Sequence, residues 1–319
     1  MSALRVPSDR PSDHIAGPLL DEARGLCCAG DFDGALRVLA RIKAQQTPIP
    51  GVDALRSQCF EALGDASSAE QARREEARWF GASTGVVAAR RELLEHTDDE
   101  TWLARAIASV RPWTMLSERR LASLHALALR TARESIAGDY VECGVAAGGS
   151  SALLPGCATR HTPAAPPRVW CFDTFSGMPA PGPEDTALGG VNANDSGWGA
   201  GTCSAPEECV VHAAALFGAA DRLWVRKGLF QDTLPRAAAE IGAIALLHLD
   251  GDWYDSTRCC LEHLWHRMTP GGFVQIDDYG HWNGCRRAVD EFVQAHGITV
   301  AIERIDYTGV WLRVPECRR

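Results

Sequence analysis

The chain has 319 residues, 46% of them hydrophobic and 23% charged, and a formal net charge of −9. That balance suits a soluble globular protein of one large and one small domain; it lacks the clustered basic face a nucleic-acid partner needs. It also contains no apolar run long enough to span a bilayer, and Met1-Ser2-Ala3-Leu4-Arg5-Val6-Pro7 lacks the apolar core of a signal peptide, so a cytoplasmic protein with no membrane partner is expected.

Residues 1–14 are polar and proline-containing and are expected to be disordered. An internal repeat follows over 15–95. Gly30-Asp31 recurs as Gly64-Asp65 and Ala35 as Ala69, with the 34-residue offset of a tetratricopeptide unit. Each unit offers an apolar helix, the Gly-Asp turn and a second helix, with Leu19, Leu20, Ala23 and Leu26 before the first turn and Ala35, Leu36, Leu39 and Ile42 after it. Two repeats are fewer than usually stand alone. This all-helical extension is therefore expected to dock on the following domain, on a second subunit in a homo-oligomer, or on a carrier or partner protein.

Residues 96–135 continue the helical pattern as a cap, broken at Pro112, with Trp113-Thr114-Met115 in a loop. From Gly138 the rhythm becomes strand–helix–strand. Apolar runs place strands at 139–143, 168–173, 222–227, 244–249 and 272–277, and helices at 149–158, 206–218, 233–241, 256–268 and 283–296. Two further runs, Thr299-Val300-Ala301-Ile302 and Gly309-Val310-Trp311-Leu312-Arg313-Val314, flank a turn at Asp306-Tyr307-Thr308. Five β/α units closed by a hairpin describe an α/β fold, a doubly wound parallel sheet with an antiparallel edge. The Gly-, Pro- and Asn-rich stretch 176–206 reads as a long structureless lid, with Trp198 either folding over a ring-shaped substrate or anchoring the loop. Twelve cysteines include no CxxC pair, so buried thiols are expected.

The chemistry sits where the strands end. Asp250 and Asp252 follow Ile244-Ala245-Leu246-Leu247-His248-Leu249, and Asp277-Asp278 follow Gly272-Phe273-Val274-Gln275-Ile276. Carboxylates there land in the crevice where open α/β sheets bind ligands, and several together repel one another unless a cation sits between them. A hard divalent ion, Mg²⁺, is the economical explanation. Adjacent strand residues face opposite ways, so Asp277 and Asp278 reach one ion only if the strand ends at them. His248 is expected to face away from Asp250 as a core histidine. The first strand ends in Glu142-Cys143-Gly144-Val145-Ala146-Ala147-Gly148-Gly149-Ser150. This is not the GxGxxG of a dinucleotide site, and an acid in the strand end accepts from a cationic amine but opposes a pyrophosphate. Asp173, closing the second strand, suits the two hydroxyls of a ribose.

Five ordered motifs complete the picture: Gly138-Asp139-Tyr140-Val141-Glu142-Cys143-Gly144-Val145, Phe172-Asp173-Thr174-Phe175-Ser176-Gly177-Met178-Pro179, Lys227-Gly228-Leu229-Phe230-Gln231-Asp232-Thr233-Leu234-Pro235, Leu249-Asp250-Gly251-Asp252-Trp253-Tyr254-Asp255-Ser256-Thr257, and Asp277-Asp278-Tyr279. Together, over roughly 110–314, they resemble the macrocin O-methyltransferase (TylF-type) family of S-adenosylmethionine- and Mg²⁺-dependent enzymes acting on hydroxyls of natural products. The resemblance implies a Rossmann-like class I methyltransferase sheet and a small hydroxyl-bearing substrate, a sugar or phenol. It implies that Glu142, Gly144, Gly148, Gly149 and Ser150 hold the methionine part of S-adenosylmethionine, with Thr114 and Met115 closing over it. Asp173 would take the ribose, and Phe175, Phe230 and Gln231 the adenine. Where the family often has an aromatic residue directly after the glycine, this chain has Leu229 and then Phe230. Asp250, Asp277 and Asp278 would hold Mg²⁺. Asp250 is the implied base, and Asp252 and His281 are alternatives flanking the same crevice. Two other readings stand beside this one: a nicotinamide-dependent oxidoreductase on the same type of sheet, and a catalytically inert binding protein in which the helical repeats dominate.

Overall fold

The computed structural model describes residues 16–43, 48–80, 90–91, 94, 97–162 and 164–316. The segment expected to be disordered, 1–14, lies outside them, as does part of 81–96. The front of the chain forms helices α1 (Ala16–Cys28), α2 (Phe32–Lys43), α3 (Val52–Ala62) and α4 (Ala66–Phe80). The two Gly-Asp turns are built alike. Gly30 and Gly64 take φ of 80° and 81°, a left-handed conformation that suits glycine. Asp31 and Asp65 then accept from the backbone N–H three residues on, at 2.8 and 3.0 Å, starting the next helix. In α2 the buried Ala35, Val38, Leu39 and Ile42 make one apolar stripe at helical spacing.

The rest of the chain builds a sheet and the helices covering it: α5 (Asp99–Val110), a short 3₁₀ turn at Arg111–Trp113 that contains Pro112, α6 (Glu118–Arg133), β1 (Asp139–Cys143), α7 (Gly149–His161), β2 (Val169–Asp173), α8 (Glu208–Ala215), β3 (Leu223–Lys227), α9 (Phe230–Ala237), β4 (Ile244–Leu249), α10 (Tyr254–Leu264), β5 (Met268–Ile276), α11 (Asn283–Ala295), β6 (Ile302–Arg304) and β7 (Val310–Arg313). Sheet order is β3-β2-β1-β4-β5-β7-β6, with β1 to β5 parallel and β7 antiparallel to both β5 and β6. All six residues of β4 are buried, as a strand covered on both faces requires. Its neighbours alternate between two cores: Tyr140 and Leu246 join one, Val141 and Leu247 the other. The first core continues through Trp102, Val210 and Cys209 into Leu39, Ile42 and Cys59 of the front helices, so the extension packs on this face of the sheet.

Two expectations need correction. The penultimate strand is Ile302–Arg304, not 299–302; this edge strand is mostly exposed, so the apolar run ahead of it marked the approach to the sheet and not the paired residues. The 176–206 segment is not structureless. Thr186 bridges Asn192 and Ala187 bridges Trp282. Asp185, only 2% exposed, accepts from the N–H groups of Gly182 and Tyr254 at 2.7 and 2.8 Å. Asn283 donates to Thr186 Oγ1 and the Ala187 carbonyl, and Trp253 Nε1 to the Pro179 carbonyl at 2.9 Å. A polar loop folded over a sheet end survives only where its backbone groups find such partners.

Candidate active site

Strand order reverses between β1 and β4, which opens a crevice at their carboxyl ends. The ladder runs one residue beyond the strands there: Asp250 N–H donates to the Cys143 carbonyl and Asp277 N–H to the Leu249 carbonyl, both at 2.8 Å. This extra rung fixes the backbones that carry the acids. Gly144, at φ 92°, lies so close to Asp250 that a Cβ would collide with the Asp250 carbonyl oxygen. Glycine there serves the approach of two loops before it serves any ligand. Ala146, Phe175 and Asp252 also hold positive φ without being glycine, and strained backbone of this kind gathers at functional sites.

The crevice is a cleft of about 350 Å³, within the range of small-molecule sites. Thr114, Met115, Gly144, Ser150, Asp173, Phe230 and Gln231 from the expected cofactor set line it, as do Asp250, Asp252, Asp277, Asp278 and His281. Four expected cofactor residues do not. Gly148 and Gly149 make room for Val210 and for Thr114, which a Cβ would strike. The Phe175 ring is fully buried in the first core, and only its backbone N–H serves the site, donating to Asp173 Oδ1 at 2.6 Å. The Glu142 carboxylate is fully buried beneath the cleft, accepting from Ser151 Oγ and facing His248 Nδ1 at 2.8 Å. Both its oxygens are engaged inside the protein, and it does not line the cleft.

His248 also corrects an expectation. It does lie in the core, but it faces the acids: its Nε2 is 3.8 Å from Asp277 Oδ1. Residues two apart on a strand share a face, so His248 had to point the same way as Asp250. Burial pushes its pKa down, but Asp277 and Glu142 outweigh that and raise it to about 9. The two carboxylates thus favour a proton on this ring in the metal-free protein, although its Nε2 has no hydrogen-bond partner.

Asp277 and Asp278 follow the last residue of β5, Ile276, which frees them from strand alternation. One ligand atom each from His248, Asp250 and Asp277 lies within 4.8 Å of the others, and the same holds for Asp250, Asp252 and Asp278. Asp250 belongs to both groups. Asp277 Oδ1 and Asp278 Oδ2 are buried without a hydrogen-bond partner, an arrangement that costs free energy unless something else satisfies them. Burial first, and then the neighbouring acids, raise Asp250 and Asp278 well above the ordinary carboxylate range and Asp252 to about 7. Mutual repulsion and unpartnered oxygens fit a hard divalent cation among these acids: Asp250, Asp252 and Asp278 form an all-oxygen group, and Asp277 meets Asp250 beside the His248 ring. Asp252 is partnered differently: its Oδ1 accepts from Trp282 Nε1 at 3.1 Å.

Asp173 joins the loops that follow β1 and β2. Its Oδ2 accepts from the N–H groups of Val145 and Ala146 at 2.6 and 2.9 Å. Arg120, near the start of α6, was not anticipated from the sequence. Its Nη1 pairs with Asp277 Oδ2, and its Nε lies 3.2 Å from Asp306 Oδ2. It is the one Arg or Lys among the described residues lining the cleft. Burial works against its charge, but Asp277, Asp250, Asp306 and Asp278 hold it protonated. Across the cleft mouth, His281 Nδ1 is 3.1 Å from Tyr307 Oη, and burial lowers the histidine pKa. Met115, Trp198 and Tyr307 line the opening and are 58%, 44% and 62% exposed.

The model of a family described as macrocin-O-methyltransferase (TylF) matches residues 66–314. The match starts in α4, ahead of the span from about residue 110 over which the motifs, the first at Gly138, carry the resemblance. The 8-demethyl-8-(2,3-dimethoxy-alpha-L-rhamnosyl)-tetracenomycin-C 4'-O-methyltransferase of Streptomyces olivaceus is 37% identical over 202 residues, 63% of this chain and 75% of that protein. Demethyldecarbamoylnovobiocin O-methyltransferase of Streptomyces niveus is 31% identical over 233 residues, 70% of this chain and 85% of the relative. The solved structure of the O-methyltransferase NovP superposes with a TM-score of 0.56 at 27% identity, covering 73% of this chain and 99% of that one. The calicheamicin methyltransferase CalS11, at 20% identity and a TM-score of 0.51, shares the fold.

Proposed function

The chain belongs to the macrocin O-methyltransferase family and is an O-methyltransferase of natural-product biosynthesis, and from that premise we propose that it moves a methyl group from S-adenosylmethionine to a sugar hydroxyl with the help of Mg²⁺. The observation that carries the metal reading is the acid cluster around Asp250, which gathers with Asp252 and Asp278 on one side and with Asp277 and His248 on the other, and leaves oxygens of Asp277 and Asp278 unpartnered at the floor of the cleft; Asp250, Asp277 and Asp278 are the ligands we assign to Mg²⁺. The sugar reading is supported by the rhamnosyl group in the name of the Streptomyces olivaceus relative.

Methyl transfer from a sulfonium is an in-line displacement, and a neutral hydroxyl is a weak nucleophile. Bound Mg²⁺ would lower the pKa of the acceptor hydroxyl. Asp252 stands beside the metal acids with its carboxylate oriented by Trp282, which places it to take the hydroxyl proton. Ser150, Gly144, Asp173, Phe230 and Gln231 form the cofactor side of the cleft, with Asp173 at the ribose. Thr114 and Met115 stand over its opening, and Trp198 and His281 face the acceptor. Orientation by these walls supplies the approach geometry. The helical hairpins, with their repeated turn, are read as a tetratricopeptide-like surface for a second subunit or a carrier. No described helix is long and apolar enough to cross a membrane, and a cytoplasmic location is part of this proposal.

The test is transfer of labelled methyl from S-adenosylmethionine to a panel of glycosylated aromatic and macrolide acceptors. Label should reach a sugar oxygen in Mg²⁺ and stop in excess EDTA. Full transfer in EDTA would refute the metal role, and label on a phenolic oxygen would refute the sugar.

A further inference from the structure

We propose that Arg120 is a positioning residue that fixes Asp277 for the cation and ties the acceptor wall to the cation seat. The inference rests on the metal reading above and adds a residue that acts through its neighbours.

Arg120 is held on every side. The Ser117 hydroxyl accepts from the Arg120 backbone N–H at 3.1 Å and from its Nε at 3.3 Å, and donates to Asp306 Oδ2 at 2.5 Å. The Arg120 carbonyl accepts from the buried Gln275 amide at 3.2 Å, which ties α6 to β5 just before Asp277. Gly309 leaves room for the arginine stem, since a Cβ there would lie 2.9 Å from Arg120 Cγ and Cδ. The side chain is 15% exposed, and its guanidinium joins two carboxylates far apart in sequence.

Each carboxylate commands part of the cleft. At Asp277 the arginine occupies Oδ2, so Oδ1, the unpartnered oxygen, is the one left for the ion. At Asp306 it braces the hairpin turn, where Asp306 Oδ1 also accepts from the N–H groups of Thr308 and Gly309 at 3.0 and 2.8 Å. That turn carries Tyr307, which lines the cleft mouth and contacts His281. One guanidinium therefore sets both the oxygen offered to the metal and the wall against which the acceptor lies. A planar fork spans two such partners, and a lysine ammonium does not.

Positioning and simple electrostatics predict opposite outcomes. Arg120 is a positive charge beside a cation seat, so by Coulomb repulsion alone its removal tightens Mg²⁺ binding. If its role is to orient Asp277, removal weakens binding by about 10- to 100-fold, as loss of a partner behind a metal ligand does. The experiment is calorimetric titration of Mg²⁺ into the full-length, metal-stripped protein, with S-adenosylhomocysteine present and folding checked by circular dichroism. Wild type should bind Mg²⁺. Arg120→Gln should bind about 10-fold or more weakly, and Arg120→Lys should recover part of the loss. Asp306→Asn, which leaves the metal acids intact, keeps the test available if Arg120→Gln fails to fold; it should weaken Mg²⁺ binding about threefold or more and raise the acceptor KM. Wild-type binding with equal or tighter binding in the folded variants overturns the inference and leaves the metal reading standing. A wild-type protein that takes up no Mg²⁺ overturns both.

Discussion

Replacing Asp252 by Asn should stabilise the metal-free protein, and more so as the pH rises. Burial and the surrounding acids raise this carboxyl from 3.8 to about 7 in the folded chain, so the folded state binds the extra proton. Stability is then lost as the pH climbs from about 4 to about 7 and is flat above that. Three pKa units correspond to about 4 kcal/mol; because Asp252 is partly open to the cleft, screening leaves roughly 2 kcal/mol. For a chain of this size that is about 4 °C in Tm. Asn keeps an oxygen for Trp282 Nε1 and tolerates the left-handed backbone at this position, where φ is 55°, so any gain independent of pH comes from conformation. The assay is thermal unfolding of both proteins in EDTA at pH about 5 and about 8, repeated with Mg²⁺. The Asn variant should melt about 4 °C higher than wild type at the upper pH, show a much smaller difference at the lower pH, and lose most of its advantage once Mg²⁺ neutralises the acids. An advantage equal at the two pH values, or a loss of stability at the upper one, would refute the account of repelling acids.

Asp250→Asn and Asp278→Asn should each lower kcat by about a thousandfold, since a metal Lewis acid is worth several kcal/mol, while calorimetric affinity for S-adenosylmethionine stays within about threefold; equal losses of both would mean a collapsed cleft. Trp198→Ala should raise the acceptor KM about tenfold with kcat within about twofold, the pattern of lost uniform binding; an unchanged KM in steady-state kinetics would assign Trp198 to anchoring the loop alone. Deleting residues 1–65 removes Leu39, Ile42 and Cys59 from the core they share with Trp102 and Val210. The truncated protein should lose several degrees of Tm and change subunit number in light scattering. A truncated protein with unchanged Tm and an unchanged number of subunits would refute both the shared core and the docking role.

The sheet was legible because strands covered on both faces must be apolar throughout. The boundaries read for β1 and β4 coincide with Asp139–Cys143 and Ile244–Leu249. The acids were legible for the complementary reason: a carboxylate directly after such a run must emerge at the sheet edge. What escaped lay one step further in, where side chains of different strands meet. Glu142 read as a ligand contact because its chain position fits one. In the structure β1 pairs with β4 so that Glu142 stands beside His248, and the two satisfy each other beneath the floor. The even spacing of His248 and Asp250 was a signal available in the sequence, since strand residues two apart share a face. Arg120 carried no such signal: it is 157 residues from Asp277, on a helix whose pattern speaks only of its apolar stripe.

These three residues explain how so many acids coexist at one strand edge. Acidic and basic side chains alternate along Glu142, His248, Asp277, Arg120 and Asp306 from beneath β1 to the hairpin turn. Removing one partner from a buried charged chain leaves the next uncompensated, which is why breaking such pairs is strongly destabilising. Asp277 is thus held by Arg120 through Oδ2, whereas Asp250, Asp252 and Asp278 are crowded by neighbouring acids, with Arg120 countering them at Asp250 and Asp278. The anchored acid gives the seat its shape, and the repelling acids give it its demand for a cation. A sequence pattern that places carboxylates after two adjacent strands records the second property. The first becomes visible only when the helix carrying Arg120 is seen packed across the end of β5.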